Sequence, residues 1–182
     1  VRRPPRSTLL PYTTLFRARK NAQRLLVERG NLDVVPALSR LATDRKVDEI
    51  GLNTASIHAL WTMHGIGAMD GSVPAATGAA LGALGHPSAG VRRTALKVAP
   101  RTDTSSRAII KAGSLRDPAG QVRLAAFLAL AEMPPSKDAA AAIAVAISLP
   151  ANSGDRWIPD AATSARSEEH TSELQPRTNL VC

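Results

Sequence analysis

HPSAGVRRTAL (86–96) and DPAGQVRLAAF (117–127) align without a gap at an offset of 31 residues. Pro87 matches Pro118, Val91 matches Val122, Arg92 matches Arg123 and Ala95 matches Ala126. Working outward, ARKNAQRLLVERG (18–30) is a third copy, with Arg19 in the place of Arg92 and Ala22 in that of Ala95. GLNTASIHALWTMHG (51–65) is a looser fourth. A fixed period in this range is the signature of stacked structural repeats, each too small to bury its apolar face alone.

Helical patterns fill the gaps between the copies. Val34, Leu38 and Leu41 lie at i, i+4 and i+7 within 33–43. Comparable stretches are 73–84 (Val73, Leu81, Leu84), 105–115 (Ile109, Ile110, Leu115) and 137–149 (Ile143, Ala146, Ile147). Spacing of this kind places apolar side chains on one helix face. The punctuation agrees. Pro134 and Pro135 end one helix, Ser136 caps the next, and Pro150 stops it. Asp117 followed by Pro118 reads as an N-cap and first helical residue. Gly30 and Gly65 stand where helix C-caps belong. Ala95, Ala99, Ala125 and Ala129 are small enough to let helices approach closely, and 152–165 reads as the start of a further repeat. No strand-like alternation occurs. The expectation is an all-α fold, an α-α superhelix of about four antiparallel helical pairs over 18–165, with no sheet.

Composition removes other classes. Of 182 residues, 44% are hydrophobic, which suffices for a core, but only 3% are aromatic: Tyr12, Phe16, Trp61, Phe127 and Trp157. A β-sandwich or barrel draws more heavily on aromatic and β-branched residues. No apolar run approaches the roughly 18 residues of a membrane span. Cys182 is the single cysteine, so no internal disulfide, CxxC zinc site or CxxCH haem site can form.

The Pro-x-x-x-Val-Arg-x-x-Ala pattern resembles HEAT-like repeats, a member of the HEAT/armadillo group of solenoids, and in particular the short form found in phycobilin-lyase-type proteins. The resemblance is good over 85–132 and looser over 18–165. It implies that the acid before Pro caps the second helix of a repeat and that the Arg after Val bonds along a ladder between repeats. Asp117 and Arg123 occupy those positions; Arg92 matches the Arg, while His86 stands where the acid would be. AQRLLVERG, HALWTMHGIGAMDG, HPSAGVRRTALKVAPR and NSGDRWIPDAA also resemble the HEAT section of large bacterial multidomain proteins that join a sugar-dehydrogenase-type propeller to a c-type haem domain. That likeness implies a redox enzyme as parent, exported or periplasmic, yet no propeller or haem motif is present to carry its chemistry.

The two ends read differently. PYTTLFR (11–17) and RSEEHTSELQ (166–175) resemble in-frame translations of the two partner adapters of a common sequencing library. Segments 1–17 and 166–182 are therefore expected to be non-native tails, and 18–165 a piece of a longer protein whose own N-terminus, and any targeting signal, lie outside. The tails distort the charge. The whole chain is +8, but 18–165 holds 17 basic and 12 acidic side chains, a net +5.

Candidate chemistry is sparse. His58 and His64, six apart, point about 120° apart on a helix and cannot readily share a metal; zinc pairs sit at i, i+4. Trp61, with Ile57, Leu60 and His64 on one face, reads as core packing with its indole N–H on a carbonyl. His86 reads as a helix-start residue. The glycine-rich 64–70 follows a helix rather than a strand, which argues for a loop and against a phosphate cradle. Asp48 and Glu49 are adjacent in a polar loop, a solvated turn. No nucleophile elbow, P-loop or dinucleotide fingerprint appears, so no catalytic, cofactor or metal residue is assigned. Arg93, Lys97 and Arg101 form a basic surface that could meet nucleic-acid phosphates. Base-stacking aromatics are absent beside them, however, and Arg92 and Arg123 are taken by the ladder. The structural positions are thus Pro87, Val91, Arg92, Asp117, Pro118, Val122 and Arg123. The expected function is a non-catalytic scaffold whose partner is a protein or a sister domain, with no membrane, metal or cofactor.

Overall fold

The computed structural model describes residues 11–164, with side chains from Arg17 onward. The chain is all-helical, with no strand among the described residues. The principal helices are α1 (Pro11–Arg29), α2 (Val35–Ala42), α3 (Thr54–Gly65), α4 (Pro74–Gly82), α5 (Ala89–Val98), α6 (Asp103–Lys111), α7 (Gly120–Ala131) and α8 (Lys137–Ile147). A short α9 (Pro150–Ser153) and a last helix over 158–164 follow. The tail 166–182 and most of 1–17 lie outside the described residues; the backbone of α1 is continuous across the boundary expected at residue 17.

The helices form two rows. α1 packs on α3, α3 on α5 and α5 on α7; α2 packs on α4, α4 on α6 and α6 on α8. Cross-contacts between the rows, α2 with α3, α4 with α5 and α6 with α7, enclose the core. Leu60, Met63, Val91, Val98, Ile109, Val122, Phe127 and Ile158 are fully buried in it. Removing each such side chain from water stabilises the fold by about 1.5–3 kcal/mol before the entropic cost of ordering it. Much of the remaining core is alanine, including Ala95, Ala99, Ala125 and Ala129, beside larger residues such as Leu38, Leu84 and Ile143, so small residues let the helices approach closely.

Local signals act largely as expected. Ser136 Oγ accepts the Ala139 N–H at 3.0 Å and opens α8. Thr102 caps α6 through the Ser105 N–H, and Asn53 caps α3 through the Ser56 N–H. Pro74 begins α4 and Pro150 begins α9, where a missing N–H costs nothing.

Several boundaries differ. The stretch 105–115 is not one helix: Gly113 takes φ 69°, and a separate 3-10 turn Ser114–Arg116 follows α6. Gly30 ends α1 in the left-handed region with φ 67°, but Gly65 does not have positive φ. Its reason is space: a Cβ there would lie 2.6 Å from Val27 Cγ2 on α1. The left-handed residue is Gly67, with φ 79°. Asp117 is not the N-cap of α7; Ala119 is, and Pro118 precedes the helix. Asp117 instead accepts the Ala119 N–H from two residues back, at 2.8 Å, which fixes the turn into the helix.

Candidate functional site

Two features warrant construction from the residues up: an edge of polar side chains linking the loops, and a groove across the odd-numbered row.

The edge rests on register. Helices α3, α5 and α7 begin at Thr54, Ala89 and Gly120. Their third residues, Ser56, Val91 and Val122, are all buried, so their fourth, Ile57, Arg92 and Arg123, stand at one equivalent place beside the core. Arg92 Nη1 donates to the carbonyls of His86 and Pro87, both at 2.8 Å. Arg123 Nη1 donates to Asp117 O at 2.9 Å and Pro118 O at 3.4 Å. Each guanidinium therefore ties down the loop entering its own helix through carbonyls six and five residues back.

Each also reaches forward. Arg92 forms a bidentate pair with the Asp117 carboxylate: Nε to Oδ2 at 2.7 Å and Nη2 to Oδ1 at 2.9 Å. Its side chain is 14% exposed and that of Asp117 8%. Burial works to raise the Asp117 pKa, but the Arg92 hydrogen bonds, the Ala119 N–H and the charges of Arg92 and Arg123 outweigh it and hold the carboxyl below its usual value. Arg123 reaches Asn152 Oδ1 at 2.7 Å and Ala151 O at 3.0 Å. The Asn152 amide is fully buried and donates to Leu115 O at 3.0 Å and Ala146 O at 2.9 Å.

His86 explains why the acid is missing from its loop. The residue at the arginine position of the preceding helix is Ile57, whose Cδ1 packs against Gly90. An aspartate at 86 would be a buried carboxylate without the bidentate arginine of the preceding helix that Asp117 has, which is costly. His86 is instead buried, its Nδ1 accepting the Ser88 N–H at 2.9 Å as Asp117 accepts that of Ala119. Its Nε2 donates to Asp44 O at 2.8 Å. Arg45 in the same loop donates to Gly85 O at 3.0 Å. A chain of hydrogen bonds thus runs along one edge from Asp44 through His86, Arg92, Asp117 and Arg123 to Asn152.

The resemblance placed Arg92, Asp117 and Arg123 at ladder positions, and the structure brings Arg123 to Asp117. Arg123 reaches the Asp117 carbonyl, because Arg92 holds the carboxylate. Asp44 carries no repeat signature, and Asn152, although it opens the 152–165 stretch that reads as a further repeat, matches no asparagine in the other copies. Pro87 and Pro118 enter as the residues whose carbonyls the two arginines hold.

The groove lies between α3, α5 and α7. Trp61, Leu96, Ala125, Leu128 and Ala129 form its apolar part, Lys97, Arg101, His64 and Glu132 its rim, and its volume is about 320 Å³. Trp61 is half-buried, meets the His64 ring edge-on at 5.6 Å, and has no carbonyl on its indole N–H among the described residues, contrary to the expectation. Leu128 is 45% exposed. Arg93 and Lys97 are exposed four residues apart on α5 and form no ion pair with any described residue; Arg101 pairs with Glu132. The sequence grouped the three cations but not the apolar surface beside them, which comes from three separate helices.

His58 faces α1, where its Nδ1 donates to Gln23 Oε1 at 2.6 Å. Burial, then the charges of Arg19 and Lys20, lower its pKa, so it is neutral near pH 7. The His58 and His64 rings share no metal geometry, and no group of three or more potential metal ligands occurs among the described residues. No described helix is long and apolar enough to cross a membrane. Asp48 sits in a loop where its Oδ1 accepts the N–H groups of Ile50 and Leu52.

No protein-family model matches the chain, and no characterised protein or solved structure matches it.

Proposed function

We propose that the chain is a HEAT-like α-α superhelix that works as a protein-binding scaffold, by presenting a rigid surface rather than by chemistry. The observation that carries the reading is the recurrence of one bonding pattern at Arg92 and Arg123. Each arginine clamps its own loop and reaches the next unit, Arg92 at the loop residue Asp117 and Arg123 at α9. Repeated clamps with repeated row contacts are what a quasi-one-dimensional array requires, since each unit is then stabilised mainly by its neighbours. Such arrays leave one whole face of a helix row open, and here that face carries the groove at Trp61 and Leu128.

The test is site-specific photo-crosslinking in producing cells. A crosslinking amino acid is placed at Leu128 on the odd-numbered row, and separately at Val145 on α8, both exposed. The scaffold reading expects a discrete crosslinked protein species from at least one face. Absence of protein crosslinks from both faces, with the variants folded, overturns it.

A further inference from the structure

We propose that the groove between α3, α5 and α7 receives an acidic segment of the partner protein, anchored by one bulky apolar side chain. This inference rests on the scaffold reading and names the chemistry of its occupant.

Charge is unequally divided between the rows. From Ala18 onward, α1, α3, α5 and α7 carry eight basic side chains (Arg19, Lys20, Arg24, Arg29, Arg92, Arg93, Lys97, Arg123) and one acid, Glu28. The row of α2, α4, α6 and α8 carries four basic side chains against two acids. Most remaining acids sit in loops, where Asp44, Asp48, Asp70 and Asp155 hold backbone N–H groups. The odd-numbered row therefore presents a positive field. Within it, Arg92 and Arg123 are spent on the loop edge and Arg101 on Glu132, which leaves Lys97 as the exposed cation on the groove rim, with Arg93 exposed one turn before it on α5.

The groove itself favours a peptide over a nucleic acid. Its floor is aliphatic and alanine, with the indole of Trp61 closed on one edge by His64. A base needs an open aromatic plane. Glu132 on the rim already neutralises Arg101, so the open positive charge there is Lys97 alone rather than a row of cations that could follow a phosphate backbone. An amphipathic segment satisfies both halves of the site: an apolar residue enters between Trp61, Leu96 and Leu128, and carboxylates on its flanks meet Lys97 on the rim and the positive field of the row beyond it. Anchors spaced at i and i+4 on a helix are the common form of such recognition.

The experiment is fluorescence anisotropy with the whole chain and three probes. One is a synthetic peptide of about 14 residues with leucines at i, i+4 among glutamates; the second is the same peptide with lysines for glutamates; the third is an oligothymidylate. The acidic peptide should bind, more weakly as salt rises past about 0.15 M, and the basic one should not. Lys97→Glu should weaken binding about tenfold, since it reverses a rim charge, and Arg93→Glu, one turn outside the groove, should weaken it less; Leu128→Ala should match Lys97→Glu by removing an anchor contact. Lys137→Glu, on α8, should leave it unchanged. Equal binding of both peptides, equal effects of Lys97→Glu and Lys137→Glu, or tighter binding of the oligothymidylate overturns the inference. Protein crosslinks at Val145 with no acidic-peptide binding would overturn it while leaving the scaffold reading standing.

Discussion

Arg92 and Arg123 hold their own loops in the same way and reach forward to different acceptors. Arg92 ends on a carboxylate, Asp117; Arg123 ends on an amide and a carbonyl, Asn152 and Ala151. The first link stands or falls on two charges that need each other. The second asks its acceptor to do more: Asn152 both accepts from Arg123 and donates to two buried carbonyls. One position in a repeat can thus be filled by a charge pair, by a neutral hub, or by the apolar contact of Ile57 on Gly90. What repeats is the tie between loops, and the residue types change together with their partners.

The comparison predicts a larger loss at the charged link. Arg92→Ala leaves the Asp117 carboxylate, 8% exposed, without its cation. Deleting one member of a fully buried pair costs about 3–5 kcal/mol, and this pair is partly open, so about 2–4 is expected in urea denaturation. The loss should depend on pH. The folded-state pKa of Asp117 is depressed, so the pair contributes fully above the ordinary carboxylate value and its contribution fades as pH falls through the folded value. The gap between parent and Arg92→Ala should therefore narrow in acid below about pH 4. A gap that stays constant to pH 2 would show that Arg92 acts through the His86 and Pro87 carbonyls instead.

Converting the neutral link into a charged one should also destabilise. Asn152→Asp gives Arg123 a carboxylate but removes the donor to Leu115 O and Ala146 O and faces both with negative charge. Buried groups left unsatisfied cost about 1–3 kcal/mol each, which outweighs the gain from a partly exposed ion pair. A net loss of about 2–3 kcal/mol is expected. Unchanged or raised stability would mean that Asn152 is no hub.

Arg123→Ala removes the neutral link itself. Its acceptors are carbonyls and an amide, some bordering solvent, so water can replace part of what is lost. About 1.5–2 kcal/mol is expected from charge-assisted hydrogen bonds of this kind, with no narrowing in acid comparable to that of Arg92→Ala. A loss under about 1 kcal/mol, the range of surface pairs, would remove Arg123 from the edge.

How much of this was legible follows from what a one-dimensional pattern records. The two arginines were visible because the same side chain recurs with the same prolines and valines around it. Their partners were not, because Asp117 lies 25 residues beyond Arg92 whereas Asn152 lies 29 beyond Arg123, so no single offset links arginine to acceptor. The Ile57 link was hidden because its signature is an absence of arginine. The break at Gly113 is marked in the sequence only by the spacing around it: Ile109 and Leu115, six apart, would point about 120° apart on one continuous helix. The i, i+4, i+7 apolar pattern predicted helices well, since burial of one face enforces it. The groove at Trp61 and Leu128 was illegible, because nothing local in sequence tells which exposed faces of different helices will lie side by side.

The smallest expected effect separates the edge from the groove. Lys97 lies on α5 five residues after Arg92 and one turn from Arg93, yet it is exposed and has no ion-pair partner among the described residues. Its stem covers part of the groove wall beside Leu96. Truncating an exposed side chain of this type shifts stability by about 0.5 kcal/mol or less. Lys97→Ala should therefore melt within that margin of the parent, at every pH where Arg92→Ala does not. Because one helix carries both residues, the pair controls for helix propensity, local unfolding and expression alike. A loss as large as that of Arg92→Ala would show that α5 is sensitive along its whole length, and the difference between its buried edge and its open face would lose its meaning.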